Sequence, residues 1–292
     1  MRIITNPGSN LDDDETHKHD VEVMPQKIVV DGISHDTRNS IGDFGKIDRW
    51  VKTAQRHPTV QGTTEAEFTE TMSRLGKTDP EMLCVMTSRK IIGSHDAALA
   101  ASTKLSKEAG YRIEVVDTQV TDVGAGLCTL AAVQSRKAGR SLKDTATFLR
   151  AFAERGRNVI TVTTLENLIK GGRASALQGF VANILNVRPM IAMVDGVATS
   201  VGRISAKHDR AEKAEEYLTS RLDPGAAVWV GVAHGGAPDV ADKLLRRLKD
   251  KYRVEYALVR PLSTSIYLHG GPGAVMSFVY PLDGLPFRPS PP

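Results

Sequence analysis

Short apolar runs separated by helical patterns dominate the first half of this 292-residue chain. Residues 2–5 (RIIT), 21–25 (VEVMP), 27–30 (KIVV), 82–87 (MLCVMT) and 112–117 (RIEVVD) read as strands. Residues 43–55, 95–110 and 122–138 carry apolar residues at helical spacing, and a further helix begins near Ser141, a residue suited to cap it. Strands that alternate with helices imply a parallel sheet covered by helices on both faces. In such sheets a ligand sits beyond the carboxyl ends of the strands, so the corners after them are where function is sought.

The second half follows a different pattern. Residues 188–194 and 197–204 flank Asp195-Gly196, a strong signal for a two-residue hairpin. Further strands are expected at 158–164, 228–233, 253–259 and 274–280, with helices at 208–221 and after Pro238. A hairpin among these elements implies a mixed sheet. The expected fold is therefore α/β and two-lobed, with a parallel-sheet domain over 1–157, a second α/β domain with a mixed sheet over 158–292, and the ligand between the lobes. The proline-rich end, PLDGLPFRPSPP, is expected to be disordered at its tip.

Composition narrows the function classes. A chain that is 41% hydrophobic and 25% charged is of ordinary globular type. No apolar run approaches the ~20 residues needed to span a bilayer, and the N-terminal segment turns acidic too soon for a signal peptide. No stable membrane insertion is expected, and a cytoplasmic address is the default. A net charge of +4 is far from that of a nucleic-acid binder. Its distribution is uneven, however. Residues 134–176 carry nine bases (Arg136, Lys137, Arg140, Lys143, Arg150, Arg155, Arg157, Lys170, Arg173) against three acids (Asp144, Glu154, Glu166), which suits either a solvated face or an acidic partner. Cys84 and Cys128 lie far apart and read as buried, reduced thiols. His17 and His19 stand beside Asp12-Asp13-Asp14, and a loop metal site is the minor reading there.

Motifs for autonomous phosphate chemistry are missing. There is no P-loop string and no G-x-S-x-G elbow, and Gly124-Ala125-Gly126 is a weak match to a dinucleotide fingerprint whose third glycine falls on Thr129. No cofactor is expected. The remaining candidates are corners rich in glycine or hydroxyl residues: Thr5-Asn6-Pro7-Gly8-Ser9, Thr59-Val60-Gln61-Gly62-Thr63, Ile92-Gly93-Ser94, Asp117-Thr118 and His269-Gly270-Gly271-Pro272-Gly273. Backbone N–H groups at such corners hold small anions.

One segment is odd. Leu165-Glu166-Asn167-Leu168-Ile169-Lys170 runs into Gly171-Gly172-Arg173, and two adjacent glycines are an entropic liability in a helical stretch. They would let the chain reverse, with one glycine at positive φ capping the helix. Arg173 then stands at a corner, where it either bonds nearby carbonyls or Glu166 or contacts an anion.

These residues carry a resemblance to the DegV-type fatty-acid-binding proteins. That family's pattern runs from a Thr-Asp-Ser corner through Pro-x-Thr-Ser-Gln-Pro, Ser-Gly-Thr-Tyr and Asp-Ser. It ends with Leu-Glu-x-Leu-x-x-Gly-Gly-Arg-x-Ser, x-x-Lys-Pro-Ile and His-x-Gly-Pro-Gly. The order is kept here over nearly the whole chain, and residues 165–175, Arg188-Pro189-Met190 and His269–Gly273 match closely. The resemblance implies a carrier that buries a long-chain fatty acid and presents its carboxyl to a fatty acid kinase catalytic subunit for acyl-phosphate formation. It implies that Thr59, Ile92, Gly93, Ser94 and His269 bind the fatty acid, with Arg173 and Gly270 contacting the head group or partner. Other classes remain open: a carrier of another apolar anion, or a phosphotransferase or hydrolase. The departures fall at the head group, with Val60 and Ile92 where the family has serines and no aspartate in residues 5–9.

Overall fold

The computed structural model describes residues 1–38, 41–172, 187–205 and 207–292. Its first half runs β1 (Arg2–Thr5), a 3-10 turn (Pro7–Ser9), α1 (Asp13–Lys18), β2 (Val21–Val23), β3 (Lys27–Val30), β4 (Ile33–Asp36), α2 (Phe44–Thr53), β5 (Thr59–Gln61), α3 (Glu65–Gly76) and β6 (Glu81–Met86). It continues through α4 (Ser94–Glu108), β7 (Arg112–Asp117), α5 (Val123–Lys137) and α6 (Leu142–Arg155). Then come β8 (Arg157–Thr161), α7 (Glu166–Lys170), β9 (Val187–Val194), β10 (Val197–Ser205), α8 (Arg210–Thr219) and β11 (Ala227–His234). The chain closes with α9 (Pro238–Lys251), β12 (Arg253–Pro261), α10 (Thr264–Gly270) and β13 (Val275–Pro281).

Four strands form a wholly parallel sheet in the order β2-β1-β6-β7, as the alternation of strands and helices requires. A six-stranded mixed sheet, β10-β9-β8-β13-β11-β12, is built from the second half. Its β9–β10 hairpin turns at Asp195-Gly196, both at positive φ (49° and 79°), the twist a two-residue turn needs. The expectation errs at Lys27–Val30. This strand does not join the parallel sheet but a separate antiparallel one, β4-β3-β5, through a second positive-φ turn at Asp31-Gly32. Residues 59–61 are likewise a strand of that small sheet rather than a bare corner.

Helix α5 lies between the two large sheets, touching β1 and β6 on one side and β11 and β13 on the other. Its residues from Val123 to Ser135 are all buried, which is why it is made of small and apolar residues all round. The glycines of the weak dinucleotide match serve this packing: Gly124 lies against the Phe278 ring and Gly126 against the Ser9 carbonyl, with no room for a side chain at either. One core cluster consequently runs from Ile3 through Phe152 to Trp229 and Tyr280.

Asp122, fully buried at the start of α5, joins the halves. Its carboxylate accepts from Asn10 Nδ2 (2.7 Å), its neighbour Val123 N (2.8 Å), Ser263 N (3.0 Å) and Ser263 Oγ (2.8 Å). Burial pushes its pKa up, while these donors pull it down.

Cys84 and Cys128 are free and buried, and burial pushes both thiols up to about 12. Residues 13–18 form a helix with a capping box at Asp12 and Glu15, not a metal loop. His19 is buried, with its pKa depressed by burial and then by Lys137, and among the described residues no cluster suits a metal ion. The C-terminal segment is docked ahead of its last four residues. Phe287 packs edge-on against Phe148 with ring centroids 5.1 Å apart, and Arg288 pairs with Glu255 and Asp283. An apolar ring with a place to bury and five prolines that limit unfolded freedom favour that docking.

Glu215 on α8 is 1% exposed and pairs with Arg247 (2.8 Å) and Lys251 (2.7 Å) of α9. Burial opposes its charge, yet the hydrogen bonds from Lys251 and Arg247 hold its carboxyl below the ordinary glutamate value. The folded pKa is depressed, so this stabilisation is complete above the unfolded value of about 4.3 and fades as pH falls through the folded one. Glu215→Gln is expected to cost about 2 kcal/mol at pH 7 and to flatten the acid side of the stability curve. Urea titrations between pH 7 and 3 check this; an unaltered acid slope would show the pair to be inert.

Candidate functional site

Between the mixed sheet and α10 lies an apolar cavity of about 70 Å³. Ile160 and Val162 bring β8 and its following loop to it, Ile191 and Met193 line it from β9, Ala198 from β10, and Met276 from β13. Ile266, His269 and Gly270 of α10 close it, with Leu168 of α7. A smaller cavity of about 20 Å³ adjoins it, lined by Gly8, Gln26, Val60, Thr87, Ile92 and Ser265. The two share Ile91, Thr121, Ile266 and His269, so they lie side by side and mark out the course of a passage, largely apolar throughout, with the polar side chains of Gln26, Thr87 and Ser265 at its parallel-sheet end. Its polar end lies past β1 and β6 at their carboxyl ends, where ligands of α/β sheets sit. Among the described residues the lining carries no Lys, Arg, Asp or Glu.

Two short segments from distant parts of the sequence interlock at the wall of this passage. Helix α7 ends at Gly171, and Gly172 follows at φ 77°, the expected left-handed cap. Gly171 meets a different demand: a Cβ there would lie 2.4 Å from His269 Nδ1, so the imidazole packs against bare backbone. Thr163 Oγ1 donates to Pro272 O at 2.7 Å, tying the chain ahead of α7 to the loop after α10. The paired glycines thus let α7 stop, reverse and accept the His269 ring. Glu166 pairs with Lys170 at 2.6 Å on the exposed face of α7. Burial, and then Lys170, depress the pKa of nearby His57.

His269, Gly270 and Ile92 lie in the lining. Thr59 sits elsewhere: in β5 it is exposed, and its neighbour Val60 faces the passage, because successive strand residues point to opposite sides. Gly93 is exposed at the start of α4. Ser94 is buried, and its hydroxyl accepts from Thr63 N at 3.1 Å, which fastens β5 to α4 rather than lining either cavity. Arg173 lies outside the described residues. Lining residues that the sequence reading missed are Gln26, Thr87, Thr121 and Ser265. Thr87 and Ser265 follow strands, as do the corners singled out above, whereas Gln26 gave no periodic or motif signal.

The architecture defines a class: an α/β protein of two large sheets and a small third one, with adjoining apolar cavities that end among neutral polar side chains. A family model described as "Uncharacterised protein, DegV family" matches residues 1–282, and the chain belongs to that family. A DegV domain-containing protein of Streptomyces coelicolor is 27% identical over 281 residues, covering 94% of this chain and 95% of its own. Among solved structures, a fatty-acid-binding DegV family protein from Thermus thermophilus superposes with a TM-score of 0.84 at 25% identity, covering 97% of this chain and 100% of that one. DegV of Bacillus subtilis, a fatty-acid-binding protein, gives 0.81 at 22% identity, covering 96% and 98%.

Proposed function

We propose that the protein is a carrier that buries a long-chain fatty acid in the passage and presents the carboxyl to a partner kinase, which makes an acyl phosphate from it. The observation that carries this reading is the pair of adjoining cavities, one wholly apolar in its accessible lining and one that adds the side chains of Gln26, Thr87 and Ser265, with Ile91, Thr121, Ile266 and His269 common to both. The resemblance of the site segments to fatty-acid-binding relatives supports it. About 15 methylenes at roughly 0.8 kcal/mol each supply on the order of 12 kcal/mol before association costs, so retention rests on the chain more than on the head group. The cavity is smaller than the about 300–1,000 Å³ of typical ligand pockets. An entering chain therefore displaces side chains, and the thioethers of Met193 and Met276 are suited to give way.

In this reading His269 meets the carboxyl at the neutral mouth. Arg173, with its fixed charge, serves the phosphate that appears only on transfer. Thr59 and Gly93 lie off the passage, and Ser94 acts by holding the wall. Native mass spectrometry of freshly purified protein is expected to reveal a co-purifying mass near 250–300 Da, roughly a C16–C18 acid. An empty chain that turns over nucleotide unaided would sink the carrier reading in favour of an enzyme.

A further inference from the structure

Gln26 is 3% exposed and lines the polar end of the passage beside Thr121, Ser265 and His269. Its amide oxygen is buried without a hydrogen-bond partner. An acceptor in that condition is costly unless something supplies a donor. The backbone cannot carry it away, because the segment is clamped on three sides. Thr37 N and Oγ1 donate to the Gln26 carbonyl at 2.8 and 2.9 Å, Thr63 Oγ1 donates to Pro25 O at 2.6 Å, and Met24 N donates to Thr5 O at 2.8 Å.

We propose that Gln26 selects the head group, and that the preferred ligand is an apolar-chain acid with a hydroxyl close to its carboxyl. This rests on the carrier reading above. An ionised carboxylate only accepts hydrogen bonds and so offers an amide oxygen nothing, whereas a neighbouring hydroxyl donates to it. The carboxylate has other donors at hand in the hydroxyls of Thr87 and Ser265, which line the same end, whereas the Thr121 hydroxyl there donates to Gly8 O at 3.4 Å. Val60 and Ile92, also in that wall, contribute none. Gln26 is thus the buried group whose hydrogen-bonding need a plain fatty acid leaves unmet.

The test uses the delipidated full chain, with hexadecanoic acid and its 2- and 3-hydroxy forms as probes in calorimetric titrations. One hydroxy acid is expected to bind about tenfold tighter than the plain acid, the lower part of what a buried acceptor gains from its donor. Gln26→Leu, close in volume, is expected to bring that ratio to about one, and Gln26→Met to do the same. A ratio near one in the unaltered protein, or a preference that survives both substitutions, overturns the proposal while leaving the carrier reading in place. Equal losses for all probes in both variants also overturn it, since the amide would then be holding the carboxylate through its N–H groups. Failure of every probe to bind the unaltered protein overturns the carrier reading as well.

Discussion

Asp122→Ala is expected to lower folding stability by at least about 4 kcal/mol, a large share of what a domain has. Four donors converge on that fully buried carboxylate, two of them the backbone N–H groups of Val123 and Ser263. Removing the acceptor leaves them without a partner in a place water does not reach, and each orphaned group costs about 1–3 kcal/mol. Part of the loss has another origin. Asp122 sits at φ 54° and ψ −141°, a conformation strained for any residue with a Cβ, and alanine keeps that strain while losing the local bond to Val123 N that offsets it. Asp122→Gly keeps that backbone angle and loses the carboxylate, so it is expected to be less damaging than alanine by about 1 kcal/mol. Urea unfolding midpoints of the three proteins separate the contributions. A loss below about 1 kcal/mol in both variants would show that the halves are held by packing around α5 and not by this junction.

Much of the fold was legible, and the reasons are local. The runs at 82–87 and 112–117 sit beside helices with clear spacing, so the parallel sheet followed. Asp195-Gly196 announced its hairpin because both flanking strands are long and apolar. Asp31-Gly32 makes the same kind of turn, but β4 (Ile-Ser-His-Asp) is exposed or half-exposed throughout, and nothing in its composition marks it as a strand. Without a signal for β4, residues 59–61 have no sheet to join, and Thr59 stands in the sequence as a corner residue facing a ligand. Pairing of β5 with β3 sets the alternation that turns Val60 inward instead.

The site divides along the same line. Gly171 and Gly172 advertised a chain reversal through composition alone. Their contact with His269 arises from residues about a hundred positions apart, and only tertiary structure reveals it. Gln26 is a sharper case. A glutamine between Pro25 and Lys27 has no motif, period or charge pattern to distinguish it. Its significance comes from being enclosed by β5, α10 and the loop at residues 88–92.

Ala198→Phe is expected to weaken binding of hexadecanoic acid roughly 200-fold. Ala198 stands opposite Met193 in the β9–β10 ladder, and both line the apolar cavity. A phenyl ring at that position occupies the space the ligand chain needs. Denying the chain about four methylenes' worth of burial, at roughly 0.8 kcal/mol each, removes about 3 kcal/mol. The fold should tolerate the exchange, because β10 is the edge strand of its sheet and Ala198 is only partly buried. Thr199→Phe supplies the matched control. It places the same ring one residue along the strand, on the opposite face, where the affinity should stay within about twofold of the unaltered protein. Titration of both variants after delipidation gives the comparison. If Ala198→Phe binds as tightly as Thr199→Phe, the acyl chain does not enter between the mixed sheet and α10, and the passage assigned to it is the wrong one.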